Sequence, residues 1–239
     1  MSGGRRARAA RSEIGRGTLR RAAARAFLPG LAGMLKTPQE HRRAQFAAVG
    51  APADRIVFLG DSISEQGNWD EWFPDEPVLN RGIGGETSAQ VLARLDTAIN
   101  APRAVLLLIG TNDLSMAVPE DAIVANVRSI LDRIENLAPG APVVLQSVMP
   151  RNPLLRAEIR SLNRRYRELV NATPAKVSYL DLWPALADDD GAMRREFSLD
   201  SLHLNGAGYA AWVEVLRPAL QMLRGAGTAE QNTTAVTPR

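Results

Sequence analysis

The sequence predicts an α/β protein in which a parallel, doubly wound sheet carries helices on both faces of a single domain. Three observations predict it. Short apolar runs alternate with stretches of helical periodicity over most of the chain. The connections between them are short, as crossover units require. The run Ala104–Ile109 (AVLLLI) is apolar at every position, as a strand covered on both faces should be.

The elements follow in order. Thr37-Pro38-Gln39-Glu40 has the capping-box arrangement with proline at the first helical position, which predicts a helix from there to about Val49. Arg55–Gly60 (RIVFLG) reads as a buried strand ending in glycine, and Val78–Asn80 as a shorter strand leading into the glycine-rich stretch 82–85. Val91, Leu92, Leu95 and Ile99 fall at helical spacing, so 87–99 should be a helix. Ala104–Ile109 is the third strand. Pro119 opens a long amphipathic helix with Ile123, Val127, Ile130, Leu131 and Ile134 on one side. Pro142–Val148 is the fourth strand, a charged amphipathic helix covers about 154–171, Val177–Leu182 is the fifth strand, and Gly206–Leu223 is the closing helix. The segment 225–239 has no apolar period and reads as a disordered tail. The expected organisation is a basic leader over 1–35, one domain over 36–224 and that tail.

Charge must be divided by region. The 239 residues carry a formal net charge of +3, but residues 1–25 hold eight arginines and one acid, Glu13. The remaining 21 basic and 25 acidic residues leave a mildly acidic body. A nucleic-acid-binding domain needs a basic face, so no nucleic-acid partner is expected. The leader reads as a disordered arm, with a targeting segment as the sharper alternative. No apolar run reaches 18 residues, which excludes stable membrane insertion by a spanning helix; a cytoplasmic placement is expected. The absence of cysteine removes disulfides, thiolate metal sites and a cysteine nucleophile. Only His41 and His203 are available as imidazoles.

Three strand ends and one late loop carry residues suited to chemistry. Gly60-Asp61-Ser62 puts a hydroxyl just past the first strand, where backbone N–H groups of a following turn can face an oxyanion; the same serine could equally cap a helix. Asn80-Arg81-Gly82-Ile83-Gly84-Gly85-Glu86-Thr87 is not a dinucleotide fingerprint, because threonine stands where the third glycine belongs. Its glycines permit close backbone approach, which makes the Gly85 N–H a possible oxyanion donor. Gly110-Thr111-Asn112-Asp113 can aim the Asn112 amide at the same point, although Asn and Asp after glycine are also ordinary turn formers. In Asp200-Ser201-Leu202-His203 a carboxylate three residues before an imidazole can orient it as a base. His41 sits in the charged run His41-Arg42-Arg43 and reads as a surface residue.

Together and in this order, the four blocks resemble those of the SGNH (GDSL-type) hydrolases, over about residues 50–223. The wording of the glycine and Gly-Thr-Asn-Asp blocks looks most like the branch with platelet-activating-factor acetylhydrolase-like and carbohydrate-acetylesterase-like members. The resemblance implies a flavodoxin-like three-layer α/β/α sandwich on a five-stranded parallel sheet, ester or thioester hydrolysis, and no metal or organic cofactor. By position it makes Ser62 the nucleophile, His203 the base and Asp200 its orienting acid. The oxyanion hole would consist of the Ser62 and Gly85 N–H groups and the Asn112 side chain. The expected partner is a small-molecule acyl ester; homodimers occur among such proteins.

For the substrate pocket the candidates are Asp61, Arg81, Trp69, Trp72 and Met149, with Phe73, Pro150 and Arg151 nearby. The competing reading of Trp69, Trp72 and Phe73 is that they pack the first helix against the sheet. Arg81 is as well explained by an ion pair with Asp61 or Glu86. Asp188-Asp189-Asp190 lacks ligand spacing and reads as a solvated loop.

Overall fold

A computed structural model describes residues 33–173 and 176–233. Most of the basic leader and the last six residues lie outside the described part. Five parallel strands form one sheet: β1 (Ile56–Gly60), β2 (Val78–Gly82), β3 (Ala104–Leu108), β4 (Val143–Gln146) and β5 (Val177–Leu180). Their order across the sheet is β2-β1-β3-β4-β5. This is the flavodoxin-like order, and it places the topological switch point between β1 and β3, where ligands sit beyond the carboxyl strand ends.

Alternating residues of the central strands go to opposite layers, and both layers are buried. Val57, Leu59, Val105 and Leu107 pack under α4 (Ser88–Ala93), α5 (Leu95–Ala98), α7 (Glu120–Leu137) and α8 (Arg156–Asn171). Ile56, Phe58, Leu106 and Leu108 pack under α3 (Trp69–Trp72), α9 (Trp183–Leu186) and α10 (Gly206–Thr233). Two-sided burial explains why β1 and β3 carry no alternation in sequence. Short helices α2 (Ser62–Glu65) and α6 (Thr111–Ser115) start directly from the ends of β1 and β3.

The structure departs from the sequence expectations in four places. Among the described residues the first helix, α1, is already formed at residue 33 and runs to 49, so Thr37 does not cap it and Pro38 lies within the helix. The single helix expected over 87–99 is divided into α4 and α5 at Arg94, which leaves helical geometry (φ −118°, ψ 10°) as its guanidinium turns inward. The closing helix continues to Thr233 rather than ending at Leu223, and so runs into the expected tail segment; no proline follows Pro218 before Pro238. The short helices α2, α3, α6 and α9 span only four or five residues each, too few to show a period in sequence. Among the described residues no helix is long and apolar enough to cross a membrane.

Candidate active site

The nucleophile candidate is positioned by the tight exit from β1. A side chain at Gly60 would run into the Leu108 carbonyl and the Ser64 hydroxyl, so only glycine lets the chain turn there. Asp61 then caps α2, its Oδ1 accepting the Ile63 N–H at 3.0 Å, and Ser62 becomes the first helical residue. Tyr209 donates to the Ile63 carbonyl (2.7 Å) and the Trp69 indole to the Ser64 carbonyl (2.8 Å), fixing α2 from behind.

The Ser62 hydroxyl lies 3.0 Å from His203 Nε2, and His203 Nδ1 lies 2.7 Å from Asp200 Oδ2. The other oxygen of Asp200 accepts the backbone N–H groups of His203 (2.8 Å) and Leu202 (2.9 Å) and the Ser198 hydroxyl (3.1 Å). Ser201 adopts a left-handed conformation (φ 60°), which closes the turn so that Asp200 meets both ring and backbone. Burial works against the Asp200 carboxylate, but the His203 ring and these N–H groups outweigh it and hold its pKa well below the usual carboxylate range. Asp200 is therefore ionised where it faces the imidazole.

The glycine loop after β2 lies beside Ser62. Gly84 N–H donates to Glu65 Oε2 at 2.9 Å. Gly85, at φ 74°, directs its N–H to no acceptor among the described residues. Asn112, the second residue of α6, donates to the Glu86 carbonyl at 2.9 Å, which ties α6 to this loop and leaves its second amide proton for a ligand. Glu86 is fully buried and paired with Arg94 (2.6 Å) and Arg43 (2.9 Å). Asp113, also buried, accepts the Ser88 N–H and hydroxyl, and burial raises its pKa.

A cavity of about 550 Å³ opens over these groups. Ser62, His203, Gly84, Gly85 and Asn112 form its polar side, while Leu35, Pro38, Ile83, Met116 and Leu202 make much of the rest apolar. Arg151 enters one wall, its guanidinium donating to the Ser115 hydroxyl.

The five pocket candidates lie elsewhere, and each has a physical reason. Trp69 is 1% exposed, stacked on Phe58 at 3.9 Å and edge-on to Trp212, in the core behind α2. Trp72 packs on the same layer, and Met149 is buried in it. Asp61 is buried beneath α2 as its cap, with Oδ2 lacking a hydrogen-bond partner among the described residues. Arg81 lies over the Phe46 ring and donates to the Gly50 carbonyl; the ion pairs of Glu86 go to Arg43 and Arg94 instead. Sequence reasoning missed Leu35, Gln39 and Met116 as cavity residues. Among the described residues no cluster of His, Asp or Glu could hold a metal ion, Asp188–Asp190 included.

The family model of GDSL-like lipases and acylhydrolases matches residues 58–211, from β1 into α10. The chain belongs to the GDSL-like lipase/acylhydrolase family. It is 31% identical over 182 residues to the platelet-activating factor acetylhydrolase IB subunit alpha1 of Rattus norvegicus, covering 70% of this chain and 75% of the relative. Among solved structures, a Streptococcus pneumonia protein named after platelet activating factor superposes with a TM-score of 0.75 at 28% identity, over 81% of this chain and 97% of the other. A GDSL-like lipase from Bacteroides thetaiotaomicron gives 0.65 at 25% identity, over 77% and 97%. This GDSL-like chain is accordingly an acylhydrolase acting on carboxylic esters; α1, at 33–49, precedes the part that the family model covers.

Proposed function

We propose that the protein is a serine esterase that removes short acyl groups, acetyl above all, from an ester of a carbohydrate or small metabolite. The observation that carries this reading is the unbroken line from the Ser62 hydroxyl through His203 (3.0 Å) to the ionised Asp200 (2.7 Å). Asp200 fixes the ring with Nδ1 protonated, so that Nε2 is the basic nitrogen facing the hydroxyl. His203 takes the Ser62 proton as Oγ attacks the ester carbonyl. The tetrahedral oxyanion is held by the Ser62 and Gly85 N–H groups and the Asn112 amide. The alcohol leaves with the proton from His203. Water, deprotonated by the same ring, then cleaves the acyl-enzyme and restores Ser62. The acetylhydrolase among the relatives supports acetyl as the acyl group.

A second reading has its own support. A cavity of about 550 Å³ with Leu35, Ile83, Met116 and Leu202 in its lining has more room than an acetyl group fills. That space holds either a bulky alcohol portion, as in the first reading, or a longer acyl chain, as in a lysophospholipase or thioesterase. Hydrolysis of p-nitrophenyl esters from acetyl to palmitoyl separates them. The short-chain reading predicts that acetate and butyrate turn over fastest; a rate that climbs with chain length contradicts it in favour of the lipid reading. Failure of every ester, together with no labelling by an organophosphonate, would make the chain a binding module on an esterase fold.

A further inference from the structure

The oxyanion loop carries a peptide that nothing in its own sequence restrains. The Gly84–Gly85 unit is flanked by two residues without Cβ atoms, and Gly85 sits at φ 74°. Turning such a peptide over meets little local steric resistance. Because the peptide is trans and planar, its carbonyl and its N–H point to opposite sides. Whatever holds the Gly84 carbonyl therefore decides where the Gly85 N–H points.

That carbonyl is held from α1. The Gln39 side-chain amide donates to it at 3.0 Å, and Gln39 is only 5% exposed. The orientation of the Gln39 amide is fixed in turn: its oxygen accepts from Gln90 Nε2 at 3.0 Å and from Arg43 at 3.5 Å. Gln90 is itself anchored, its oxygen accepting the Thr87 N–H at 2.9 Å. Leu35, one turn before Gln39, closes on Gly85: a Cβ built there would lie 2.7 Å from the Leu35 side chain. On the other side, a Cβ built at Gly84 would lie 3.8 Å from the Ser62 Cβ. The loop is thus sandwiched between α1 and Ser62, with its carbonyl drawn to α1 and its N–H turned away from it.

We propose that Gln39 is a positioning residue for acyl transfer: by holding the Gly84 carbonyl it keeps the Gly85 N–H turned toward the developing oxyanion. The inference rests on the Ser62 acyl-transfer reading and extends the working site to α1, which precedes the part covered by the family model. Gln39 touches no reacting atom; it acts through the peptide.

The test uses the full chain with Gln39→Met, which keeps the volume and removes the amide. Removing an oxyanion donor outright costs about 10²–10³ in kcat, so loosening one should cost roughly 10- to 100-fold. On p-nitrophenyl acetate the expected result is that loss in kcat with KM nearly unchanged. The affinity of an alkylboronic acid, which forms a tetrahedral anion on the serine, should fall by a similar factor while inhibition by acetate stays the same. A purely structural role would lower the melting temperature without this selective loss. Gln90→Met, which frees the Gln39 amide, is made alongside and should show the same pattern at smaller amplitude; it carries the test if Gln39→Met does not fold. Wild-type kcat and boronate affinity in the folded variant, or a rise in KM alone, would overturn the proposal. Should the wild-type protein neither hydrolyse esters nor take up an organophosphonate, the acyl-transfer reading itself fails, and the role of Gln39 falls with it.

Discussion

Replacing Asp61 with asparagine should stabilise the protein above pH 7 and leave it almost unchanged near pH 4. Burial pushes the Asp61 pKa from 3.8 up to about 7; the Ile63 N–H and the Arg151 charge oppose the rise, and the nearby Asp113 and Glu86 charges add to it. Because the folded-state value is raised, the stability contributed by protonated Asp61 is full below about pH 4 and is lost as pH climbs through about 7. A rise of roughly three units at about 1.4 kcal/mol each sets a ceiling of ~4 kcal/mol on that loss. Asparagine mimics the neutral acid: its oxygen can still accept from Ile63, and it never ionises. The stability difference between variant and wild type should therefore grow from near zero at pH 4 to some 1–4 kcal/mol at pH 8, with a slope of at most about 1.4 kcal/mol per pH unit. Urea denaturation of both proteins at pH 4, 5, 6, 7 and 8 measures it. A difference that stays constant across this range, or a variant less stable at pH 8, would refute the assignment of a buried carboxyl with a raised pKa beside the nucleophile.

Other consequences are direct. Asn112→Ala should lower kcat by about 10²–10³ through loss of an oxyanion donor, while the lost bond to Glu86 costs only about 1 kcal/mol of stability; an unchanged kcat would take Asn112 out of the hole. Trp69→Ala should cost about 3–5 kcal/mol in a urea melt, because the indole fills the core between Phe58 and Trp212; an undiminished stability with an altered ester preference would return Trp69 to the pocket wall. Glu86→Ala should cost about 3–5 kcal/mol by leaving the buried Arg94 guanidinium without its carboxylate; a melt within 1 kcal/mol of wild type would show that pair to be dispensable.

How legible the molecule was in its sequence depended on whether a pattern had one physical cause. The strands were readable because two-sided burial demands continuous apolar runs, and Ala104–Ile109 has no other use. The strand ends were readable because Gly60, Gly85 and Gly110 sit where the backbone must turn tightly beside chemistry-grade side chains. Trp69 was ambiguous: an aromatic just after the candidate nucleophile suits a pocket or a core, and only its stacking on Phe58 decides. Arg81 was equally ambiguous, since a buried arginine held by the Gly50 carbonyl and the Phe46 ring has no local signature. The contribution of α1 was hidden because its inner face is mixed where it meets the glycine loop, with Leu35 packed on Gly85 and Gln39 bonded to Gly84. Gln39, Arg43 and Phe46 recur at helical spacing, and only Phe46 looks like a core residue. A glutamine and an arginine in line with a phenylalanine, four and three residues apart, are the signal that could have revealed it.

The most direct test of the account is hydrolysis of p-nitrophenyl acetate by wild type and by Ser62→Ala, with organophosphonate labelling followed by intact mass. The account predicts turnover and a single adduct for the wild type, and neither for a Ser62→Ala protein that melts at the same temperature. Near-wild-type turnover in the folded variant, or an adduct that persists without Ser62, would contradict it.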